Sequence, residues 1–183
     1  MDKIVVGVFG RDRPGLVCMI AQLLAKNKCN IEDISQTVLQ GEFCGMFVVS
    51  LSKSITMEKL QDILESNLSK ERLKVFTKRL EAEDKTSDKK TEPFVIVSIG
   101  KDRIGLIAAI SCVMYQFGVN ISNLKFINRT PAFPDKTLTI YEVDVPKETK
   151  LSEFAKELRK KADSLGLDIS IQHKKIFEDI CRI

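Results

Sequence analysis

The chain has 183 residues, 44% hydrophobic and 30% charged, with 29 basic and 25 acidic side chains giving a net charge of +4. That balance is ordinary for a globular protein and too mild for nucleic-acid binding through bulk charge. No apolar run approaches the length of a membrane span, and a first strand beginning by Ile4 leaves no room for a signal peptide, so a cytoplasmic protein is expected.

Ile4 to Phe9 is a short apolar run that predicts a buried strand. Leu16, Met19, Ile20, Leu23 and Leu24 then recur at helical spacing, on a helix predicted to end near Lys28. Alternation from Ile34 to Leu39 predicts a second strand, a turn falls around Gln40-Gly-Glu42, and Cys44 to Leu51 reads as a third strand. Thr56 fits the cap of a second helix carrying Leu60, Ile63, Leu64 and Leu68, and Leu73 to Leu80 closes the set as a fourth strand.

The same βαββαβ order then repeats. Phe94 to Ile99, Leu106 to Phe117, a strand from Asn120, Leu138 to Val145, Leu151 to Leu165 and Leu167 to Gln172 follow in turn. Residues 1–82 are expected to form a first domain, 83–93 a charged linker, and 94–183 a second domain with a C-terminal tail. Two features break the repeat: a longer hairpin from Asn128 to Thr137, and the apolar tail Ile176, Phe177, Ile180, Ile183. The expected class is α+β, as two tandem ferredoxin-like units with antiparallel four-stranded sheets.

The repeat is sharpest in two polar clusters. Gly10-Arg-Asp-Arg-Pro-Gly-Leu16 returns 90 residues later as Gly100-Lys-Asp-Arg-Ile-Gly-Leu106. Asn30-Ile31 returns at the same offset as Asn120-Ile121. A loop entering a helix gathers free amides and the positive end of the helix dipole. Gly10 suits unusual strand-end angles, Asp12 could cap the first turn, and Pro14 suits the first helical position. Gly15 permits close approach, and Arg13 adds a fork for a carboxylate. Asn30 fits two roles: a left-handed turn back into the strand, or an amide donor to a small polar ligand.

Other chemistry is poorly supported. Cys18, Cys29, Cys44, Cys112 and Cys181 are odd in number without a Cys-x-x-Cys spacing, which predicts buried free thiols in a reducing compartment. His173 is the only histidine and falls in a predicted strand. No phosphate loop or His/Cys metal cluster is present in the sequence, so no catalysis, cofactor or metal is expected.

Asp12-Arg-Pro-Gly-Leu16 with Asn30-Ile31, in a βαββαβ frame, resembles an ACT domain, and residues 94–177 resemble a second. The layout is similar to stand-alone two-ACT regulatory proteins. The resemblance implies an amino acid or similar small effector bound where paired domains meet. It implies Asp12, Arg13, Pro14, Gly15, Leu16, Asn30 and Ile31 at one site, and Asp102, Arg103, Gly105, Leu106, Asn120 and Ile121 at a second. Ile104 stands where the motif has proline. A homo-oligomer, normally a dimer, read by another regulatory protein is expected, with no direct contact to nucleic acid or membrane. The competing expectation is a ligand-free dimerisation module serving as an accessory transcriptional or metabolic regulator.

Overall fold

The computed structural model describes residues 2–81, 90–130 and 133–176. The chain divides into two units, Met1–Glu83 and Asp84–Ile183. The first runs β1 (Lys3–Arg11), α1 (Leu16–Lys26), β2 (Asn30–Leu39), β3 (Glu42–Ser50), α2 (Met57–Leu68) and β4 (Lys74–Arg79). The second runs β5 (Thr91–Gly100), α3 (Leu106–Gln116), β6 (Asn120–Thr130), β7 (Phe133–Pro146), α4 (Leu151–Leu165) and β8 (Leu167–His173). Strand orders are β2-β3-β1-β4 and β6-β7-β5-β8, with every pairing antiparallel. Each unit is therefore a ferredoxin-like α+β fold, as its element order requires.

Period-two alternation gives each sheet one face for its helices. In the first unit Ile4, Val6 and Val8 of β1 and Phe43, Phe47 and Val49 of β3 turn inward. They meet the stripes Leu16, Ile20, Leu24 of α1 and Leu60, Leu64, Leu68 of α2. Each such side chain contributes roughly 1.5–3 kcal/mol on burial. Thr56 caps α2 as its sequence predicts, its hydroxyl accepting from the Lys59 amide at 3.3 Å.

The second unit has the same frame with a different interior. Where the first unit buries Phe43, Gly45, Phe47 and Val8, the second buries Thr137, Thr139, Tyr141 and Ser98. The Tyr141 hydroxyl is hydrogen-bonded with Thr139 and Ser98, and burial pushes its pKa up. Thr137 donates to the Gly100 carbonyl at 3.2 Å.

Several expectations need adjustment. Helix α1 ends at Lys26, not near Lys28, and β5 begins at Thr91, so residues 91–93 belong to a strand. Of the linker, residues 83–89 lie outside the described residues, as do Pro131 and Ala132 of the hairpin, Cys181, and the tail beyond Ile176. Ile176 itself is exposed. Cys29 is buried, but Cys18 and Cys112 are exposed and Cys44 is half-buried, because these three sit off the helix-facing stripe. All four are free thiols.

Candidate ligand-binding site

The two loops of the repeat have the same backbone. Gly15 and Gly105 adopt φ 93° and 90°, left-handed conformations in which an L side chain is strained. Each glycine is the N-cap of its helix, and its carbonyl accepts from Met19 or Ala109 at 2.9 Å. The predicted capping by Asp12 and Asp102 does not occur, since neither helix has a side-chain cap and both aspartates precede the cap by three residues. Pro14 likewise stands before the helix, which begins at Leu16. Leu16 and Leu106 are buried and anchor the helix starts, while residues 12–15 and 102–105 are exposed.

Gly10 and Gly100 serve close packing. A Cβ on Gly10 would lie 2.6 Å from Leu73 Cδ2 and 2.9 Å from the Arg72 carbonyl oxygen. At Gly100 it would lie 2.4 Å from Leu167 Cδ2 and 3.0 Å from the Gly166 carbonyl oxygen. The same steric rule thus acts at the same place in both units.

The repeated arginines are engaged within their own units. Arg13 pairs with the Glu71 carboxylate, just beyond α2, and Arg103 donates to the Leu165 carbonyl at the end of α4. Each fastens its loop to the end of the unit's second helix. The aspartates differ. Asn128 donates to the Asp102 carboxylate at 3.4 Å, whereas Asp12 has no side-chain partner among the described residues and is held through its amide, which donates to Gly41 at 2.9 Å. Lys101, Asp102, Asn128 and Asp135 line a cavity of about 400 Å³ beside the second loop.

The second cluster resolves one of the alternatives left open by sequence. The left-handed turns after α1 and α3 are made by Lys28 (φ 56°) and Gly118 (φ 68°), two positions before the asparagines. Asn30 and Asn120 are instead the first residues of β2 and β6, paired with Ser50 and Asp144. Both are exposed, and among the described residues neither amide has a hydrogen-bond partner. A β-bulge follows each at the same place, between Ile31 and Asp33 and between Ile121 and Asn123. No composition signal marks these bulges; only strand register reveals them.

Within one unit the two clusters are far apart. Arg11 pairs with Glu42 at one end of the sheet, while Asn30 pairs with Ser50 at the other. Eight residues of strand separate those levels, about 27 Å at roughly 3.4 Å per residue. One small molecule cannot touch Asp12 and Asn30 of the same unit.

The helices differ at their starts. Neither α1 nor α3 has an acidic residue in its first turn, whereas α2 has Glu58 and α4 has Glu153. The dipoles of α1 and α3 are thus left uncompensated at the loops. Among the described residues no group of three or more His, Cys, Asp or Glu side chains could hold a metal, and no helix is long and apolar enough to cross a membrane.

The ACT-domain family profile matches residues 2–78. A UPF0237 protein of Methanopyrus kandleri is 46% identical over 66 residues, spanning 36% of this chain and 73% of that protein. A UPF0237 protein of Methanosarcina acetivorans is 32% identical over 91 residues, spanning 49% of this chain and 95% of its own. Among solved structures, an unknown protein from Galdieria sulphuraria superposes with a TM-score of 0.76 at 26% identity, over 94% of this chain and 98% of that one. A candidate glycine cleavage system transcriptional repressor superposes with a TM-score of 0.70 at 20% identity, over 93% and 96%, and so shares the fold across both units. The chain belongs to the UPF0237 family, and its first unit is an ACT domain.

Proposed function

We propose that the protein is a cytoplasmic, non-catalytic sensor of amino acids, whose effector is held between two paired ACT units and stabilises their pairing. One observation carries this reading: Asp12 and Asn30 are both exposed, without side-chain partners among the described residues, and they lie at opposite ends of the same sheet. Antiparallel pairing of β2 with β2 of a second copy sets Asn30 of one chain opposite the Leu39 end of the other. That end is where Gly41 receives the Asp12 amide. The pairing therefore joins clusters that one unit keeps apart.

The edges support this choice. All of β2 except Ile31 is exposed, and the strand contains no Lys, Arg or Pro. Ile34 and Val38 are open apolar side chains on it. The opposite edge, β4, carries Lys74, Lys78 and Arg79, the kind of charge that discourages strand addition. At the joined site the uncapped amides of α1, flanked by Arg13, would receive the effector's carboxylate. Asp12 would receive its ammonium, and Asn30 would bond either end. Ligand binding then shifts assembly only by its differential affinity for the paired state. The sites proposed are Asp12, Arg13, Pro14, Gly15, Leu16, Asn30 and Ile31, with the matching residues of the second unit.

Calorimetry of the full chain against the common amino acids tests the reading. Asp12→Ala and Asn30→Ala should each abolish binding at the first-unit site. Mixing the two variants should restore about one quarter of that site's wild-type capacity, because half of the random dimers hold one intact first-unit site in two. No amino-acid binding by a chain that still pairs through β2 would transfer support to the ligand-free dimerisation module.

A further inference from the structure

Beyond the effector site, we infer that the open face of the first unit's sheet is a docking surface for the same face of a second copy of this chain. The face turned away from the helices is apolar at its centre. Phe9, Met46 and Phe76 are 39%, 50% and 43% exposed. Val5, Cys44 and Val48 lie between them, half-buried. Phe76 stacks on Phe9 with ring centroids 5.7 Å apart, and its ring covers Gly7 so closely that a Cβ there would lie 2.0 Å from it.

Strand register fixes the order of side chains across this face. One row reads Asp33, Val48, Val5, Lys78. The next reads Ser35, Met46, Gly7, Phe76, and a third Thr37, Cys44, Phe9, Lys74. At the loop end, Glu42 stands beside Arg11. The acidic members fall toward β2 and the basic members toward β4 or β1. A twofold axis parallel to the strands, passing between β3 and β1, lays each row on its own reversal. Asp33 then meets Lys78, Glu42 meets Arg11, Val48 meets Val5, and Cys44 meets Phe9. Met46 meets Gly7 beneath the edge of Phe76, a thioether-on-aromatic contact. Lys78 now reaches Glu81 at 3.0 Å and Arg11 reaches Glu42 at 3.6 Å, in pairs so exposed that exchange across an interface costs little.

The size is sufficient. Four strands about 4.8 Å apart and six to ten residues long present roughly 540 Å². Two such faces bury about 1,100 Å², past the roughly 1,000 Å² expected of a specific interface. Sheets stacked with near-parallel strands are a common packing mode. The second unit lacks this pattern. There Val97, Ile140 and Ser170 replace Gly7, Met46 and Phe76, and Glu142 replaces Val48. Glu142 holds Lys174 at 2.7 Å and Asn123 at 2.9 Å.

Sedimentation equilibrium of the full chain over a wide concentration range tests the inference, with circular dichroism confirming folding. Edge and face together should carry the wild type past a dimer. Met46→Lys should remove the larger species, and Lys78→Asp, which opposes two carboxylates, should weaken association at least tenfold. The double variant Asp33→Lys/Lys78→Asp should recover wild-type association, which a merely destabilised sheet would not do. A wild type that stops at a dimer insensitive to all three variants overturns the face contact and leaves the edge pairing standing. A mass lowered by Met46→Lys but unaffected by Ile34→Lys on β2 keeps the face contact and removes the edge pairing.

Discussion

Arg13 and Glu71 join the loop before α1 to the turn after α2 by a charged hydrogen bond, and the second unit makes the matching link from Arg103 to a backbone carbonyl. The arginine repeated in both motifs is therefore a tether before it is anything else. Both Arg13 and Glu71 side chains are 44% exposed, so the pair's stabilising effect is small. A double-mutant cycle with Arg13→Ala and Glu71→Ala, followed by urea unfolding, should give a coupling below about 1 kcal/mol that shrinks in 1 M salt. If Arg13 also meets the effector, Glu71→Gln should change effector affinity far more than it changes stability.

The glycines of the motif should separate by mechanism. Gly10→Ala and Gly100→Ala drive a methyl against backbone carbonyls and the Leu73 or Leu167 side chain, and should cost about 1–3 kcal/mol. Gly15→Ala meets nothing within 4 Å and carries only the left-handed backbone penalty, about 1 kcal/mol. Chemical unfolding of the three variants should rank them in that order.

Glu142 should make the protein acid-sensitive. Its hydrogen bonds from Lys174 and Asn123 hold its carboxyl below the usual carboxylate range. A group with a lowered folded pKa contributes stability above its unfolded value, near 4.3, and loses that contribution as pH falls through the folded value. Glu142→Gln should therefore be less stable than wild type at pH 7, with the difference fading toward pH 3. Thermal melts at the two pH values check this.

Tyr141 should act at the other extreme. Burial raises its pKa, so its contribution is present below pH 10 and lost as pH rises toward the folded value. Tyr141→Phe removes that alkaline loss. At pH 7 it should cost about 1–2 kcal/mol, because Ser98 and Thr139 lose their buried partner.

Much of the fold was legible because it follows from periodicity. The stripes Leu16-Ile20-Leu24 and Leu60-Leu64-Leu68 can be buried only as helices on one sheet face, and the 90-residue repeat doubles that evidence. The site was legible as composition but not as geometry. The motif reads as a capped helix start, yet a left-handed Gly15 took the place that an aspartate was expected to fill. The left-handed turn, one of two roles open to Asn30, belongs to Lys28, a residue with no strong preference for it. Arg13 and Glu71 are 58 residues apart, and no local pattern announces such a contact. Nor does sequence spacing reveal that Asp12 and Asn30 sit at opposite ends of the sheet.

The two interiors have become separate solutions to one packing problem. Gly45 is small because the rings of Phe43 and Phe47 close over it, within 2.7–3.1 Å of where its Cβ would be. Thr139 is larger because Thr137 leaves room beside it and Tyr141 supplies a partner for its hydroxyl. Moving any one of these residues from one half to the other brings either a steric overlap or an orphaned hydroxyl. Recombination between the duplicated halves then avoids that destabilisation only when these positions travel as a block. That requirement would preserve the identity of each half long after the duplication that produced them.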